Sequence, residues 1–575
     1  MLTKLLICGL TLSLTLNAAP SITKKPIREQ HTITIDTDKV VGEIYNLWDV
    51  RVINVPELWG EPGFAEMMQA TSKHANYIVN VRSLGGTHSG ACEWFKGVDE
   101  DGEPITDFAP FIEYMKAQKR VGFTPWIILD NVPWGMAKSQ ERHFYGQCHP
   151  PEDFDLWFKY VRDFVQALVD EFGLEEVSTW RFRVGTEPDL YPKHWAGTKE
   201  EYFKHYDYTV AAVESVIAEP RIGPGNTLMW SGAQKSKKGR WGFEILRHCA
   251  EGTNYYTGET GTRIEFFAHS VYAWNPKPFN FEKGMKKSRQ ELAKYPQLEH
   301  VLLEVHEYGE LMECLSKGDA LSNTEFFVGL YAHTVDIAYQ YDVRRVYNWD
   351  HHLGMVYTWE QITPGLFQPW TKVMDCLEEI KDGERVQVKK GAQKEIKYGA
   401  ISAWKDGALY VLAYSHHDNA NQPFENDITL TLAGERIAAS QTWSIDEKLL
   451  DQNNGVYIHQ LYKDIEAEGI ERTDTGFNFD IQRNLERRYG QIKDVDTDVF
   501  FHGTKESAAP EDKNRIAASA IAKKNLKKYQ KMGEMAQVRS GEIVKISGQK
   551  LQLKLNFQGS GVRFLKFLPT PATTQ

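Results

Sequence analysis

Between about residue 40 and residue 382, short apolar runs alternate with segments whose apolar residues return every three or four positions. Eight of the runs predict strands: VVGEIYNLW, ANYIVNVRSL, GFTPWIILD, STWRFRVG, PRIGPG, RIEFFAHSVY, HVLLEVHEYG and VRRVYNWD. Helices are predicted between them. In PEDFDLWFKYVRDFVQALVDEFG, Trp157, Val161, Phe164, Leu168 and Phe172 share one helical face, with Pro151 at the start and Gly173 past the end. TKEEYFKHYDYTVAAVESVI opens on a capping box, Thr198 with Glu201. Eight β-α units over residues 30–383 predict a (β/α)8 TIM barrel. An open doubly wound sheet is the competing topology, but no G-x-G-x-x-G follows an early strand.

After GERVQVKKG the period changes from helical to two. AISAWKDGALYVLAYSHH, DITLTLAG, VKISGQKLQLKLNF and VRFLKFLP alternate apolar with polar positions, as half-buried antiparallel strands do. Residues 384–570 are therefore expected to form an accessory C-terminal antiparallel β-sandwich, with an inserted basic helix near 511–536.

The first residues, MLTKLLICGLTLSLTLNAAPS, carry one Lys, an apolar run from Leu5 to Leu16 and small residues at Ala18 and Ala19. That pattern predicts a signal peptide over 1–19 and a secreted or periplasmic mature chain without a membrane span. Leu5-Leu6-Ile7 before Cys8 lacks the small residue of a lipobox, so lipoprotein anchoring is not expected. Cys92, Cys148, Cys249, Cys314 and Cys376 are widely spaced and contain no C-x-x-C; the spacing leaves any pairing open. A formal net charge of −11 leaves no basic footprint for nucleic acid.

Two strand ends carry candidate chemistry. In STWRFRVGTEPD, Trp180, Phe182 and Val184 lie on one face, and Arg181 and Arg183 on the other. If the period holds, Glu187 falls on the arginine face, inside a barrel and near its carboxyl-end rim. Pro188 then stops the strand. Three strands on, the buried run Val301-Leu302-Leu303 ends at Glu304, and an acid there needs partners or a polar cavity. Glu307 and Glu310 compete with it from further along. Two carboxyls at one barrel mouth are what glycoside hydrolysis uses, one to protonate the departing oxygen, the other to attack the sugar or activate water. Arg181, Arg183, Tyr272 and His306 are candidates for holding the two pKa values apart, and Tyr272 for donating a hydrogen bond to the nucleophile. Among rim aromatics, Trp48, Trp94, Trp134, Trp195, Trp274 and Trp349, the best placed after strands are Trp134 and Trp349.

GTEPD and LLEVHEYG resemble the acid/base and nucleophile segments of clan A glycoside hydrolases, and most closely family 39, which holds β-xylosidases and α-L-iduronidases. GFTPWIILDNVPWGMA, QPWTKVMDCLEEIKDGERVQV and WSIDEKLLDQNNGVYIHQLYKDIEAEG resemble that family's third strand, last barrel helix and accessory β-domain. The resemblance implies a retaining mechanism with Glu187 as acid/base, Glu304 as nucleophile and Trp349 as a platform under the sugar. No cofactor or metal is implied, and the expected partner is a carbohydrate.

Three departures bear on the substrate. Thr186 stands where the clan has an Asn that binds the sugar's 2-hydroxyl. Arg82 is followed by Ser83 and Leu84, without the family's His, and Ser270 stands where the family has a His, with His269 displaced by one. The expectation is an unusual or 2-substituted sugar next to the cleaved bond, bound by Arg82, Trp134, Thr186, Tyr272, His306 and Trp349. The same departures fit the alternative, a catalytically inactive carbohydrate-binding barrel. A metal hydrolase built on His351 and His352 is disfavoured, because adjacent strand residues face opposite ways and no H-E-x-x-H occurs. No G-x-S-x-G marks an esterase.

Overall fold

The computed structural model describes residues 25–53, 64–71, 73–87, 90, 92–143, 145–228, 241–273, 278–310, 324–348, 363, 365–470 and 520–570. The first strand, β1 (Ile27–Glu43), is not part of the barrel. The barrel strands follow: β2 (Val50–Ile53), β3 (Tyr77–Asn80), then, after the small hairpin β4 (Phe95–Val98) and β5 (Pro104–Thr106), β6 (Thr124–Ile128), β7 (Arg181–Val184), β8 (Arg221–Pro224) with the short β9 (Thr227–Leu228), β10 (Phe266–Ala273), β11 (Leu302–Glu310) and β12 (Val343–Asn348). They pair in parallel as β2-β3-β6-β7-β8 and β9-β10-β11-β12. Two backbone bonds close the ring between these arcs. Glu265 N donates to Ile222 O at 2.8 Å beside β8, and Val346 N donates to Leu47 O at 2.8 Å beside β2.

The first predicted strand was VVGEIYNLW, but the barrel strand lies just after it, at Val50–Ile53. Residues 27–43 instead enter the second sheet, where β1 pairs antiparallel with β13 (Glu384–Lys390) and parallel with β16 (Phe424–Ala433). The period-two pattern of ITIDTDKVV fits either sheet, and only long-range pairing separates them.

The interior of the barrel is apolar in part, with Val50, Val52, Val79, Val81, Trp126, Ile128 and Phe266 in one buried cluster. Arg181 and Arg183 point into it, Arg181 lying 4.3 Å from the Trp126 ring centroid and 4.5 Å from that of Phe266. Trp180, Phe182 and Val184 face outward onto the helices, as the alternation in STWRFRVG requires. The helix Phe154–Phe172 is capped by Asp153, which accepts from Asp155 N at 2.8 Å and Leu156 N at 3.1 Å, and it ends at Gly173, φ 84°. The Thr198–Glu201 capping box opens the helix Lys199–Glu214.

The second sheet has nine strands in the order β18-β17-β20-β15-β14-β13-β1-β16-β19. Its further members are β14 (Ile396–Lys405), β15 (Ala408–His417), β17 (Thr442–Asp451), β18 (Ala536–Lys545), β19 (Lys550–Gln558) and β20 (Gly561–Pro569). In β19 burial alternates residue by residue, as KLQLKLNFQ predicts. One cluster joins Ile33, Tyr398, Val411, Leu430, Trp443, Leu553 and Leu565, from strands spread across the sheet. Of the basic helix expected near 511–536, residues 520–524 and Leu526–Met532 are described as helical; the Tyr529 hydroxyl donates to Asp464 at 2.6 Å. The barrel and this sheet meet through the helix Glu325–Gln340, which is buried on all sides. A Cβ on its Gly329 would lie 2.6 Å from Ser415 O, so helix and sheet are in backbone contact there. Cys148, Cys249 and Cys376 are free and buried, and Cys92 is buried. Among the described residues no helix is long and apolar enough to cross a membrane.

Candidate active site

β7 ends at Val184 and the chain leaves it through Gly185, φ 79°, into Thr186, Glu187 and Pro188. Glu187 itself has φ 38°, a left-handed conformation that non-glycine residues adopt only where the surroundings enforce it. Its residue is 5% exposed, and His194 Nε2 stands 3.5 Å from Oε2. Burial pushes the Glu187 carboxyl well above the usual carboxylate range, and the charge of Glu307 pushes it further.

Glu307 reaches this site from β11. Asn226 Nδ2, just past β8, donates to its Oε1 at 3.0 Å, and the Tyr272 hydroxyl on β10 donates to its Oε2 at 2.8 Å. The Ser270 hydroxyl accepts from Asn226 Nδ2 at 2.6 Å and works to lower both the Glu187 and the Glu307 carboxyl. Burial raises the Glu307 carboxyl too, against the pull of Arg183, Asn226, Tyr272 and Ser270. Two buried carboxyls that repel each other hold one proton between them. Asn226 and Tyr272 both donate to Glu307, so the proton resides on Glu187.

Arg183 organises the wall beneath. Its Nη2 donates to Thr186 Oγ1 at 2.8 Å, its Nη1 to the Tyr347 hydroxyl at 3.0 Å and its Nε to Gly185 O at 3.1 Å. Thr186 Oγ1 in turn donates to Asp130 Oδ2 at 2.9 Å, and Arg82 N donates to Asp130 Oδ1 at 2.6 Å. The Arg82 guanidinium lies 5.5 Å from the Tyr145 ring centroid, and that ring stacks on His194 at 3.8 Å.

Glu304 occupies a different level. Arg181 Nη2 donates to both of its oxygens, at 2.9 and 2.8 Å, Arg345 Nη1 donates to Oε1 at 3.0 Å, and His306 Nε2 is 2.6 Å from Oε2. Asp49 closes the network 3.4 Å from Arg345 Nε. Arg181 opens β7, Asp49 precedes β2, and Glu304 and Arg345 lie near the starts of β11 and β12. These positions belong to the amino-terminal floor of the barrel, away from the carboxyl-end rim where this fold places its chemistry. Burial works to raise Glu304, but Arg181, the His306 hydrogen bond and Arg345 outweigh it and hold the carboxyl far below the usual range. Burial keeps His306 neutral, lowered to about 3.

The chain matches the family described as Glycosyl hydrolases family 39 over residues 32–304. It is 25% identical over 241 residues to an alpha-1,4-L-rhamnosidase of Formosa agariphila, covering 39% of this chain and 46% of that one. It is 35% identical over 175 residues to a beta-xylosidase of Caldicellulosiruptor saccharolyticus, covering 30% of this chain and 32% of that one. The matched segments thus span less than half of these relatives. In fold, a monomeric beta-xylosidase from Caulobacter crescentus CB15 superposes with a TM-score of 0.60 at 15% identity, covering 94% of this chain and 99% of that one. The chain is thus similar, at a distance, to glycosyl hydrolases family 39 over just under half of its length.

The sequence places Glu304 opposite Glu187 with Tyr272 donating to it; in the structure Tyr272 donates to Glu307 and Glu304 lies in the floor. The cause is a β-bulge. His269 pairs with Val305, but Ser270 pairs with Glu307, so His306 is an extra residue in β11. Strict alternation from Glu304 would turn residue 307 outward; the inserted residue turns it back in, level with Ser270. The structure places Tyr272 beside Glu187 and Glu307, Thr186 next to Glu187 in the turn after β7, and Arg82 behind Tyr145. His306 serves Glu304 and lies 3.5 Å from Arg183. Trp134 is half-buried, its indole N–H donating to Thr87 O at 2.8 Å. Trp349, Trp274, His351 and His352 lie outside the described residues. Asn226, Asp130, Tyr145 and His194 were missed. Only Asn226 carried a signal, as a polar residue directly after PRIGPG.

Proposed function

We propose that the protein is an exported retaining glycoside hydrolase in which Glu187 is the acid/base and Glu307, in place of Glu304, the nucleophile. The observation that carries this reading is the buried, mutually repelling Glu187–Glu307 pair, with Tyr272 and Asn226 donating to Glu307 and favouring its ionised form. Glu187 gives its proton to the departing oxygen as the carbon–oxygen bond breaks, and a Glu307 oxygen forms the new bond to the anomeric carbon. Glu187, now ionised, takes a proton from water, and that water displaces Glu307 from the sugar. Retention calls for carboxyls ~5–5.5 Å apart and inversion for ~6.5–9.5 Å, so the anomer formed first tests the assignment.

The sugar beside the cleaved bond is, on this reading, unusual or substituted at carbon 2. Thr186 has no amide to offer a 2-hydroxyl, and its own hydroxyl is already engaged by Asp130 and Arg183. The test is a panel of aryl rhamnosides, xylosides and uronides together with plant, animal and algal polysaccharides, with the first-formed anomer read by NMR. Turnover with retained configuration, lost in Glu187→Gln, is the expected result. An inverted product contradicts the nucleophile assignment, and efficient cleavage of plain aryl xyloside contradicts the altered subsite.

A further inference from the structure

The loop that leaves β6 carries a second cluster of donors which the proposed hydrolysis does not use. We propose that Glu141, His143 and His149 form a site for one divalent transition-metal ion, zinc by the chemistry of its donors. The two imidazoles turn their Nε2 atoms toward each other at 3.0 Å, and Glu141 Oε2 stands 4.0 Å from His143 Nε2 and 3.7 Å from His149 Nε2. One donor atom from each residue lies within 4.8 Å of the others. Zinc bonds of about 2.0–2.2 Å in tetrahedral geometry set neighbouring donor atoms roughly 3.3–3.5 Å apart, so the imidazole nitrogens part by about 0.3–0.5 Å and the carboxylate closes by about 0.2–0.7 Å to complete three sides of a site. Two nitrogens and one carboxylate oxygen, with a position left open to solvent, is a borderline-soft donor set that suits zinc or cobalt better than calcium or magnesium.

The loop holds the donors in place without any ion. His143 and Gly146 exchange backbone hydrogen bonds at 3.0 and 3.1 Å. His149 N donates to Gln147 Oε1 at 2.7 Å, and Gln147 Nε2 donates to Ser139 O at 2.7 Å. Arg142, the cation between the first two donors, is turned onto the Trp134 ring, 5.3 Å from its centroid. In the absence of an ion the two Nε2 atoms share one proton in their hydrogen bond, and a bound cation takes that proton's place.

The site is structural, not part of the bond cleavage. It clamps the segment whose centre is Tyr145, the ring that stacks on His194 beside Glu187. His149 also lines a small cavity together with Asp130, Asn131, Thr186 and His194. An occupied site therefore fixes one wall of the active site from behind.

The test uses the full-length protein stripped with a chelator and titrated with zinc chloride by calorimetry, with cobalt substituted for absorption spectroscopy. One equivalent bound per chain is expected, with a melting temperature raised by several degrees at saturating zinc and ligand-field bands for the cobalt form. His143→Gln/His149→Gln abolishes all three. Glu141→Gln, at an exposed side chain, weakens binding about tenfold or more while leaving the fold intact, so the site is tested even if the double variant does not fold. Absence of a stoichiometric zinc isotherm, or one unchanged in Glu141→Gln and the double variant, overturns the proposal and leaves the pair as a hydrogen bond between neutral histidines. Binding does not depend on hydrolytic activity, so its outcome is independent of the reading above.

Discussion

Replacing Glu304 and Glu307 separately by Gln should damage different properties of the molecule. Glu304 is fully buried and Arg181 is 3% exposed, with Arg345 completing the group. Glu304→Gln keeps the volume but leaves two guanidiniums facing a neutral amide. Removing one partner of a buried ion pair costs about 3–5 kcal/mol, because the charge left behind stays desolvated. For a barrel of roughly 350 residues the unfolding entropy at the melting temperature is ~0.7 kcal/mol/K, so the melting temperature should fall by ~4–7 °C. Glu307→Gln instead removes a carboxyl that burial and Glu187 both disfavour, and its melting temperature should be unchanged or higher. Activity should run the other way. Glu307→Gln should lose at least about 10³-fold in kcat, whereas Glu304→Gln, assayed well below its melting temperature, should stay within about tenfold of the parent. Differential scanning calorimetry paired with initial rates on the best panel substrate gives both numbers. If Glu304→Gln were as stable as the parent but inactive, the separation of floor and rim drawn here would be wrong.

Glu187→Gln should cost about 10²–10⁴-fold on substrates with poor leaving groups, and added azide should restore turnover of an activated aryl glycoside by replacing the base-assisted water; no rescue counts against Glu187 as acid/base. Tyr272→Phe removes a donor that lowers the Glu307 carboxyl, so the acidic limb of kcat/KM should move to higher pH, and an unmoved limb would mean that Tyr272 does not tune the nucleophile. Thr186→Val leaves buried Asp130 without one of its donors and should lower stability by about 1–3 kcal/mol in chemical denaturation. The folded pKa of Glu304 is depressed, so the stability it contributes is present above its unfolded value of ~4.3 and is lost as pH falls through and below it. Between pH 6 and pH 3, on the order of that range, the parent should therefore lose more stability than Glu304→Gln, and parallel curves would refute the linkage.

Much of the fold could be read from periodicity because buried parallel strands and amphipathic helices write their patterns locally. The outward Trp180-Phe182-Val184 face, the inward arginines and the Thr198–Glu201 cap are such cases. The first barrel strand was misplaced because a half-buried strand looks the same whichever sheet receives it, and β1 goes to the far sheet. The site was half legible. Glu187 follows from strand phase carried into a turn, but Glu307 does not, since a single inserted residue at His306 resets the phase of β11 and nothing in LLEVHEYG marks it. Glu304 attracted attention for a sound physical reason, an acid in an apolar run, and its partners turned out to be Arg181 and Arg345. Arg345 lies over 40 positions away in sequence, a pairing that only the closed barrel makes visible.

The central claim is that Glu307 carries the sugar, and trapping tests it most directly. The enzyme is inactivated with an activated 2-deoxy-2-fluoro analogue of the sugar that the panel identifies, digested, and the labelled peptide sequenced by mass spectrometry. The account predicts one glycosyl group per chain, on Glu307, with Glu304 unmodified; a label on Glu304, or rapid turnover with no adduct at any carboxyl, contradicts it.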